Sequence, residues 1–202
     1  VSAYITRKAK AHYLVDGDDS VLVVDKSQEH LLDFGALEDL GFETTIDRTE
    51  VLEEVEFCRS KLLPNHEPRL VRDYRRALSN YTVTTRYYPK KVWPRYVKGQ
   101  ALGELAQTRG VPIIEPIMEK LAEQPGLPVF DPDSAWKMRE FQAPPTLITG
   151  EDRVSYELMW GVPDWLQVVL ENSFVPPDLK SWDFGFYQDF ISAPDAPQQE
   201  SW

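Results

Sequence analysis

Apolar and polar positions change rhythm along this chain, and each change marks an element. In the run His12-Tyr13-Leu14-Val15-Asp16-Gly17-Asp18-Asp19-Ser20-Val21-Leu22-Val23-Val24, two apolar stretches rich in β-branched residues flank three aspartates and one glycine. The pattern predicts a β-hairpin, with Gly17 supplying the positive φ of a tight turn at no Cβ cost. Val1 to Ala11 lacks alternation and reads as the end of a helix entering that hairpin. Beyond it, Leu31, Leu32, Phe34, Ala36, Leu37 and Leu40 form a helical stripe, so a helix is expected from a Ser27 cap to about Leu40, with Gly41 at its C-terminus. Phe42 to Ile46 alternates as a strand, Asp47-Arg48 is a turn, and Thr49 to Glu54 is a short helical or turn stretch. Val55 to Leu63 alternates as one strand, which places Glu56, Cys58 and Ser60 on one face and Phe57, Arg59 and Lys61 on the other. Pro64 to Pro68 is a turn, and Arg69-Leu70-Val71-Arg72 returns as the paired strand.

From Tyr74 onward the pattern turns helical, punctuated by prolines. Val92 to Thr108 and Ile113 to Gln124 are expected helices, the first ending near Arg109-Gly110 and the second opening near Pro112. Pro125 to Pro132 and Ala143 to Thr149 read as loops. Ser155 to Trp160 and Pro163 to Asn172 are expected short helices, with Trp160, Trp165, Leu166, Val169 and Leu170 as core. Residues 176–202, rich in Pro, Asp and Gln, read as a wrapped or disordered tail. The sum is an α+β chain, a hairpin, helix and strand layer followed by a mainly helical part.

Composition adds limits. The chain has 202 residues, 42% of them apolar, enough for one or two domains with a core. It begins at Val1 rather than at a methionine, and a piece of a longer precursor is expected. The single Cys58 excludes an internal disulfide framework and fits a reducing compartment. No apolar run approaches the roughly 20 residues of a membrane span. The net charge of −11 is unevenly spread: residues 111–202 hold 5 Lys and Arg against 16 Asp and Glu, whereas residues 59–98 hold 11 against 2. That basic run is interleaved with Tyr74, Tyr81, Tyr87, Tyr88, Trp93 and Tyr96, which suits an RNA backbone track with stacking platforms. The same residues also fit a solvated basic face over core aromatics.

The hairpin tip carries the candidate chemistry. Crowded carboxylates repel one another unless a divalent cation or water shields them. Two-metal nucleotidyl transfer needs such a tip, with rigid strands presenting hard oxygen ligands to ions roughly 4 Å apart. A solvated acidic turn fits the stretch equally well. Two other sites are weighed and set aside. In a haloacid-dehalogenase-like phosphatase Asp16 would be the nucleophile and Asp18 the acid, but a helix would then have to follow the loop, where Val21 to Val24 reads as a strand. In an EF-hand loop Val21 would occupy the glycine position. His12, His30 and His66 show no metal-ligand spacing.

An Asp-Gly-Asp-Asp hairpin, a helix ending in Gly-Phe and then Glu-Phe-Cys on a strand, in that order, resembles the viral RNA-dependent RNA polymerases, in particular those of tombusvirus-like positive-strand RNA viruses. Gly17-Asp18-Asp19 matches the family's motif C, Phe34-Gly35 with Gly41-Phe42 its motif D, and Glu56-Phe57-Cys58 its motif E. The resemblance covers about residues 8–75 and thins beyond them. It implies a partial palm over residues 1–75, a helical thumb over 76–175 and a tail over 176–202. The family's motif A aspartate and motif B Ser-Gly segment are absent, and motif D directly after motif C argues against the permuted order. The resemblance therefore implies the C-terminal part of a polymerase, a fragment or one half of a split enzyme.

By the same resemblance, Asp18 and Asp19 would bind catalytic Mg²⁺ (or Mn²⁺), and Asp16 would be a turn residue. Where related polymerases often carry a motif D lysine, this chain has Arg48, a poor proton donor but a good phosphate clamp. Arg59, Lys61, Arg72, Arg75, Arg76, Lys90 and Lys91 would contact RNA. Implied partners are template and primer RNA, nucleoside triphosphates and an upstream segment carrying motifs A and B, within a viral replication complex in the host cytoplasm. The competing function is a non-catalytic module that binds RNA or a protein.

Overall fold

The computed structural model describes residues 6, 8–64, 68–84, 86–132, 135 and 146–179, which form an α+β chain. It divides into two compact units, Val1–Asp73 with Ser155–Gly161, and Tyr74–Val154 with Val162–Trp202.

In the first unit, β1 (Ala11–Asp16) and β2 (Asp19–Val24) pair antiparallel, with Ala11 opposite Val24 and Asp16 opposite Asp19. Only Gly17 and Asp18 are left for the loop, and Gly17 alone takes a positive φ, +61°. A glycine with positive φ at the first loop position is the II′ pattern, whose twist suits the strands. Where a helix end is expected before the hairpin, the Ala9 N–H bonds to the Thr6 carbonyl at 2.9 Å. The remainder of that expectation, residues 1–5 and 7, lies outside the described residues.

The expected helix from Ser27 to Leu40 is broken in two. Asp25 rather than Ser27 caps a 3₁₀ turn over Lys26–Leu31, its carboxylate accepting the Ser27 N–H at 2.8 Å. Bonds from the Ser27 hydroxyl and amide hold the Asp25 carboxyl below the usual carboxylate range. After a break at Leu32, α1 (Gly35–Asp39) buries Ala36 and Leu37. It ends as the sequence predicts: Gly41 has φ +83°, its N–H bonds to the Glu38 carbonyl, and the Phe42 N–H bonds to the Leu37 carbonyl. Phe42 to Ile46 is not a strand; neither sheet among the described residues takes it in, and both end residues are exposed.

Val55 to Leu63 is not one strand but a hairpin: β3 (Glu56–Phe57), the loop Cys58-Arg59 and β4 (Ser60–Leu63). Phe57 stands opposite Ser60, and Cys58 and Arg59 have φ of +50° and +58°, the type I′ pattern. Period-2 alternation cannot assign faces across a reversal, so Glu56 lies across from Lys61 rather than beside Ser60. β5 (Arg69–Arg72) pairs with β4 as expected, Arg72 opposite Ser60.

The second unit opens with α2 (Tyr74–Asn80), followed by a 3₁₀ turn over Lys90–Val92 that runs into α3 (Trp93–Thr108). α4 (Ile114–Ala122) packs on α3, and together they bury Val97, Ala101, Leu105, Ile114, Ile117, Met118 and Leu121. α5 (Gly150–Trp160) starts five residues before Ser155, because Thr149 and Asp152 cap it reciprocally: the Thr149 N–H donates to the Asp152 carboxylate at 2.7 Å, and the Asp152 N–H to the Thr149 hydroxyl at 3.2 Å.

α6 (Asp164–Ser173) turns the other way from the expected core face. Trp165 is 67% exposed and Val169 is exposed, while Gln167 and Glu171 are buried. The reason is polar satisfaction. Ile113 sits at φ +65°, unusual for a β-branched residue, and its N–H needs a side-chain acceptor, which Glu171 supplies at 2.9 Å. Glu171 also takes Arg153 through two bonds of 2.9 and 3.0 Å, which raises the guanidinium's pKa, and Gln167 donates to the Arg153 and Val162 carbonyls. Trp136 and the tail beyond Leu179 lie outside the described residues.

A Cβ added to Gly99 on α3 would lie 2.0 Å from the Val129 carbonyl oxygen, because the Val129 N–H bonds to the Arg95 carbonyl and draws that loop onto the helix. One turn on, Gly103 faces open space. In urea unfolding, Gly99→Ala is expected to cost about 1–3 kcal/mol by overpacking. Gly103→Ala is expected to add about 0.5–1 kcal/mol by helix propensity. Shifts of the same sign would contradict the packing.

Candidate active site

The strand ladder up to Asp16 opposite Asp19 gathers three carboxylates, Asp18 on the two-residue turn and Asp16 and Asp19 flanking it, all exposed. The second hairpin's turn meets this tip. The Cys58 thiol donates to Asp16 Oδ2 at 3.6 Å. Desolvation, then the Asp16 carboxylate and then Asp19, push the Cys58 thiol up from its ordinary pKa, since a thiolate there would face two negative charges. Two consecutive non-glycine residues in the left-handed region cost of order 1–3 kcal/mol each. The contact with Asp16 is what that backbone geometry presents. Asp16 thus has a role that sequence spacing does not reveal, because the residues are 42 apart in the chain.

What the tip can do follows from its donors. Among the described residues no Lys or Arg is recorded as an ion-pair partner of Asp18 or Asp19, and no three His, Cys, Asp or Glu side chains converge as a full metal set. Two hard, exposed oxygen donors fit part of a divalent cation's coordination sphere, the remainder coming from elsewhere. β2 returns as a strand directly after the tip, so the helix that the phosphatase alternative needs is not there. Both faces of the hairpin carry exposed apolar residues, Tyr13, Leu14, Val15 and Val23, while Val21, Leu22 and Val24 are half-buried.

Arg48 lies in the segment after α1, its Nε 3.3 Å from Glu29 Oε1 and its guanidinium 5.9 Å over the Phe34 ring. Lys26 pairs with Glu50 nearby in sequence terms to that segment. The 3₁₀ turn that brings Lys26, Glu29 and His30 around is invisible to a reading that expects one continuous helix.

The residues expected to meet RNA differ in exposure and in what they touch. In the first unit Arg59 is exposed on the Cys58-Arg59 turn and Arg72 is half-buried on β5. Lys61 points its ammonium at the end of α5, donating to the Met159 carbonyl at 2.9 Å and lying 5.0 Å over the Trp160 ring. A cation on the last carbonyls of a helix also complements its dipole. In the second unit Arg75, Arg76, Lys90 and Lys91 are exposed, with Arg75 4.6 Å over the Tyr74 ring. Arg95 and Lys98 instead donate to the Leu127 and Gln124 carbonyls. Trp93 and Tyr96 are buried, Tyr96 donating to the Val83 carbonyl at 2.9 Å, so these two are core and not stacking platforms; Tyr87 is exposed.

Comparison with known proteins follows the same line. A family model described as viral RNA dependent RNA polymerase matches residues 1–182. The RNA-directed RNA polymerase of Tobacco necrosis virus (strain D) is 27% identical over 178 residues, covering 80% of this chain and 24% of that protein. The chain thus spans about a quarter of the length of that relative. No solved structure matches. A family match that runs from the aspartate hairpin through the helices makes this chain a member of the viral RNA-dependent RNA polymerase family.

Proposed function

We propose that the chain is the C-terminal part of a template-directed RNA polymerase: palm over residues 1–75, thumb over 76–175 and tail over 176–202. The observation that carries this reading is the exposed tip, with Asp18 and Asp19 at the end of a hairpin that leaves apolar residues exposed on both faces, Tyr13, Leu14, Val15 and Val23. An upstream segment carrying motifs A and B would cover those faces and complete the donor set. The division of the chain between Asp73 and Tyr74 supports the palm and thumb boundary, with Ser155–Gly161 from the proposed thumb range grouped with the first unit. A replication complex in the host cytoplasm is the setting this implies.

In the reaction, the 3′ hydroxyl oxygen of the primer forms a bond to the α-phosphorus of a nucleoside triphosphate, the bond to pyrophosphate breaks, and the hydroxyl loses its proton. Asp18 and Asp19 would hold the divalent ions, Mg²⁺ or Mn²⁺, which would supply charge neutralisation and lower the hydroxyl's pKa. Ladder pairing of Asp16 with Asp19 fixes where these carboxylates stand, and the Cys58 thiol anchors Asp16 from the other side. Arg48 binds phosphate. Arg59, Lys61, Arg72, Arg75, Arg76, Lys90 and Lys91 contact the RNA backbone, and Lys61 also donates to the Met159 carbonyl.

The incomplete donor set favours a second reading for the chain by itself, RNA binding without chemistry. One experiment separates the two: nucleotide incorporation on a primed template with magnesium, with and without the upstream polypeptide. Synthesis is expected only with both polypeptides, and Asp18→Ala should lower it about a thousandfold or more, several kcal/mol of lost charge stabilisation. Activity that survives Asp18→Ala in the complex would remove the assignment.

RNA affinity offers an independent check. Lys91→Glu should weaken binding evenly across sequences and reduce the slope of log affinity against log salt by about 1. Arg95→Gln should instead lower the unfolding midpoint, because its guanidinium holds the Leu127 carbonyl. An unchanged slope in Lys91→Glu would take that residue off the RNA path.

A further inference from the structure

The aspartate tip carries three carboxylates, and the proposed reaction calls on two of them, Asp18 and Asp19. Asp16 and Asp19 are cross-strand partners, so their side chains leave the same face of the hairpin with Cβ atoms about 5 Å apart. An ion held by Asp19 is therefore within reach of Asp16 as well. What Asp16 touches instead is the Cys58 thiol, which donates to its Oδ2 at 3.6 Å. We propose that Cys58 is a positioning residue for the reaction: by holding Asp16 against the second hairpin it limits the donors of this tip to Asp18 and Asp19, and so favours magnesium over a larger cation such as calcium. The inference rests on the polymerase reading of the tip and adds to it what Asp16 and Cys58 do.

The fold supplies the placement. Cys58 is the first residue of the two-residue turn between β3 and β4, which Phe57 opposite Ser60 closes, and β3 lies against β2. A turn this short carries the thiol on the end of a paired ladder, beside the end of the first hairpin.

The residue type fits the task. A thiol is a weak donor that brings no charge. A lysine or arginine in its place would neutralise the tip and compete with the ion. Desolvation, and then the carboxylates of Asp16 and Asp19, favour the protonated thiol, so the group goes on donating.

The number of donors then decides the ion. Magnesium demands near-ideal octahedral geometry, keeps several of its waters and is held by one or two carboxylates, whereas calcium takes six to eight oxygens in a flexible arrangement. A third carboxylate added to the tip moves the preference toward calcium. Were the thiol only a packing group, its removal would leave that preference where it was.

The test reads ion preference rather than synthesis. Mn²⁺ bound to the chain combined with its upstream segment is followed by electron paramagnetic resonance, and the concentrations of Ca²⁺ and of Mg²⁺ that displace half of it are compared. Cys58→Ala is expected to lower the Ca²⁺ concentration relative to that of Mg²⁺ by about fivefold or more, the scale of coupling between touching groups. Cys58→Ser keeps an uncharged donor and should hold the ratio within about twofold of the parent. In Asp16→Ala there is no carboxylate to release, so adding Cys58→Ala to it should move the ratio no further. An unmoved ratio in Cys58→Ala, an equal shift in Cys58→Ser, or the full shift with Asp16→Ala present would overturn the proposal. Asp18→Asn should abolish Mn²⁺ binding, which places the ion at the tip; binding undiminished by that change would remove the polymerase reading together with the proposal. With the Asp18→Asn loss observed, an unmoved ratio in Cys58→Ala overturns the positioning role alone.

Discussion

Three carboxylates on and flanking one two-residue turn repel one another, and the first unit is organised by having to hold them there. The register of β1 and β2 brings Asp16 and Asp19 across from each other, and Gly17 supplies the single left-handed residue that lets the loop be so short. The second hairpin answers with a turn made of Cys58 and Arg59, two residues that take left-handed geometry only at a cost. Its return is a neutral thiol on the Asp16 carboxylate, a hydrogen-bond donor that brings no charge of its own. The tip is left with its other oxygens facing outward and no described basic side chain recorded against them.

The second unit handles carboxylates in the opposite way. Glu115 and Glu171 are buried, and each is satisfied by a guanidinium and a backbone amide: Arg109 and Gly110 for Glu115, Arg153 and Ile113 for Glu171. Removing one partner from such a set strands a buried charge, at a cost of about 3–5 kcal/mol. These groups brace the corner between α3 and α4. The same chain thus uses paired acids for architecture in one unit, while in the other Asp18 and Asp19 stand exposed with no ion pair to a Lys or Arg among the described residues.

Periodicity read well where one rhythm persisted. The hairpin around Gly17, the Gly41 helix end, α3 and α4 all follow from apolar spacing and from glycine or proline punctuation. It failed where the chain reversed inside a run, as at Cys58-Arg59, since two left-handed non-glycine residues leave no mark in a hydrophobic pattern. It also failed at α6, where a strained amide at Ile113 called for a buried Glu171 and turned Trp165 and Val169 to the outside. Ser27 lost the cap to Asp25 because a carboxylate two residues upstream reaches the same amide. Of the candidate site, the exposed aspartate turn around Gly17 was readable from residue types alone. The commitments of Lys61, Arg95 and Lys98 to backbone carbonyls, and the convergence of Lys26, His30 and Arg48, depend on contacts between segments far apart in sequence.

The central claim is that the aspartate tip, with the Cys58-Arg59 turn beside it, holds the divalent ion for nucleotidyl transfer. Fe²⁺ put in place of magnesium, in the chain combined with its upstream segment, cleaves nearby backbone through locally generated hydroxyl radicals. Cuts should cluster at Asp16 to Ser20 and at Cys58-Arg59, compete away with magnesium, and vanish in Asp18→Asn. Cuts centred elsewhere, or an unchanged pattern in Asp18→Asn, would contradict the account.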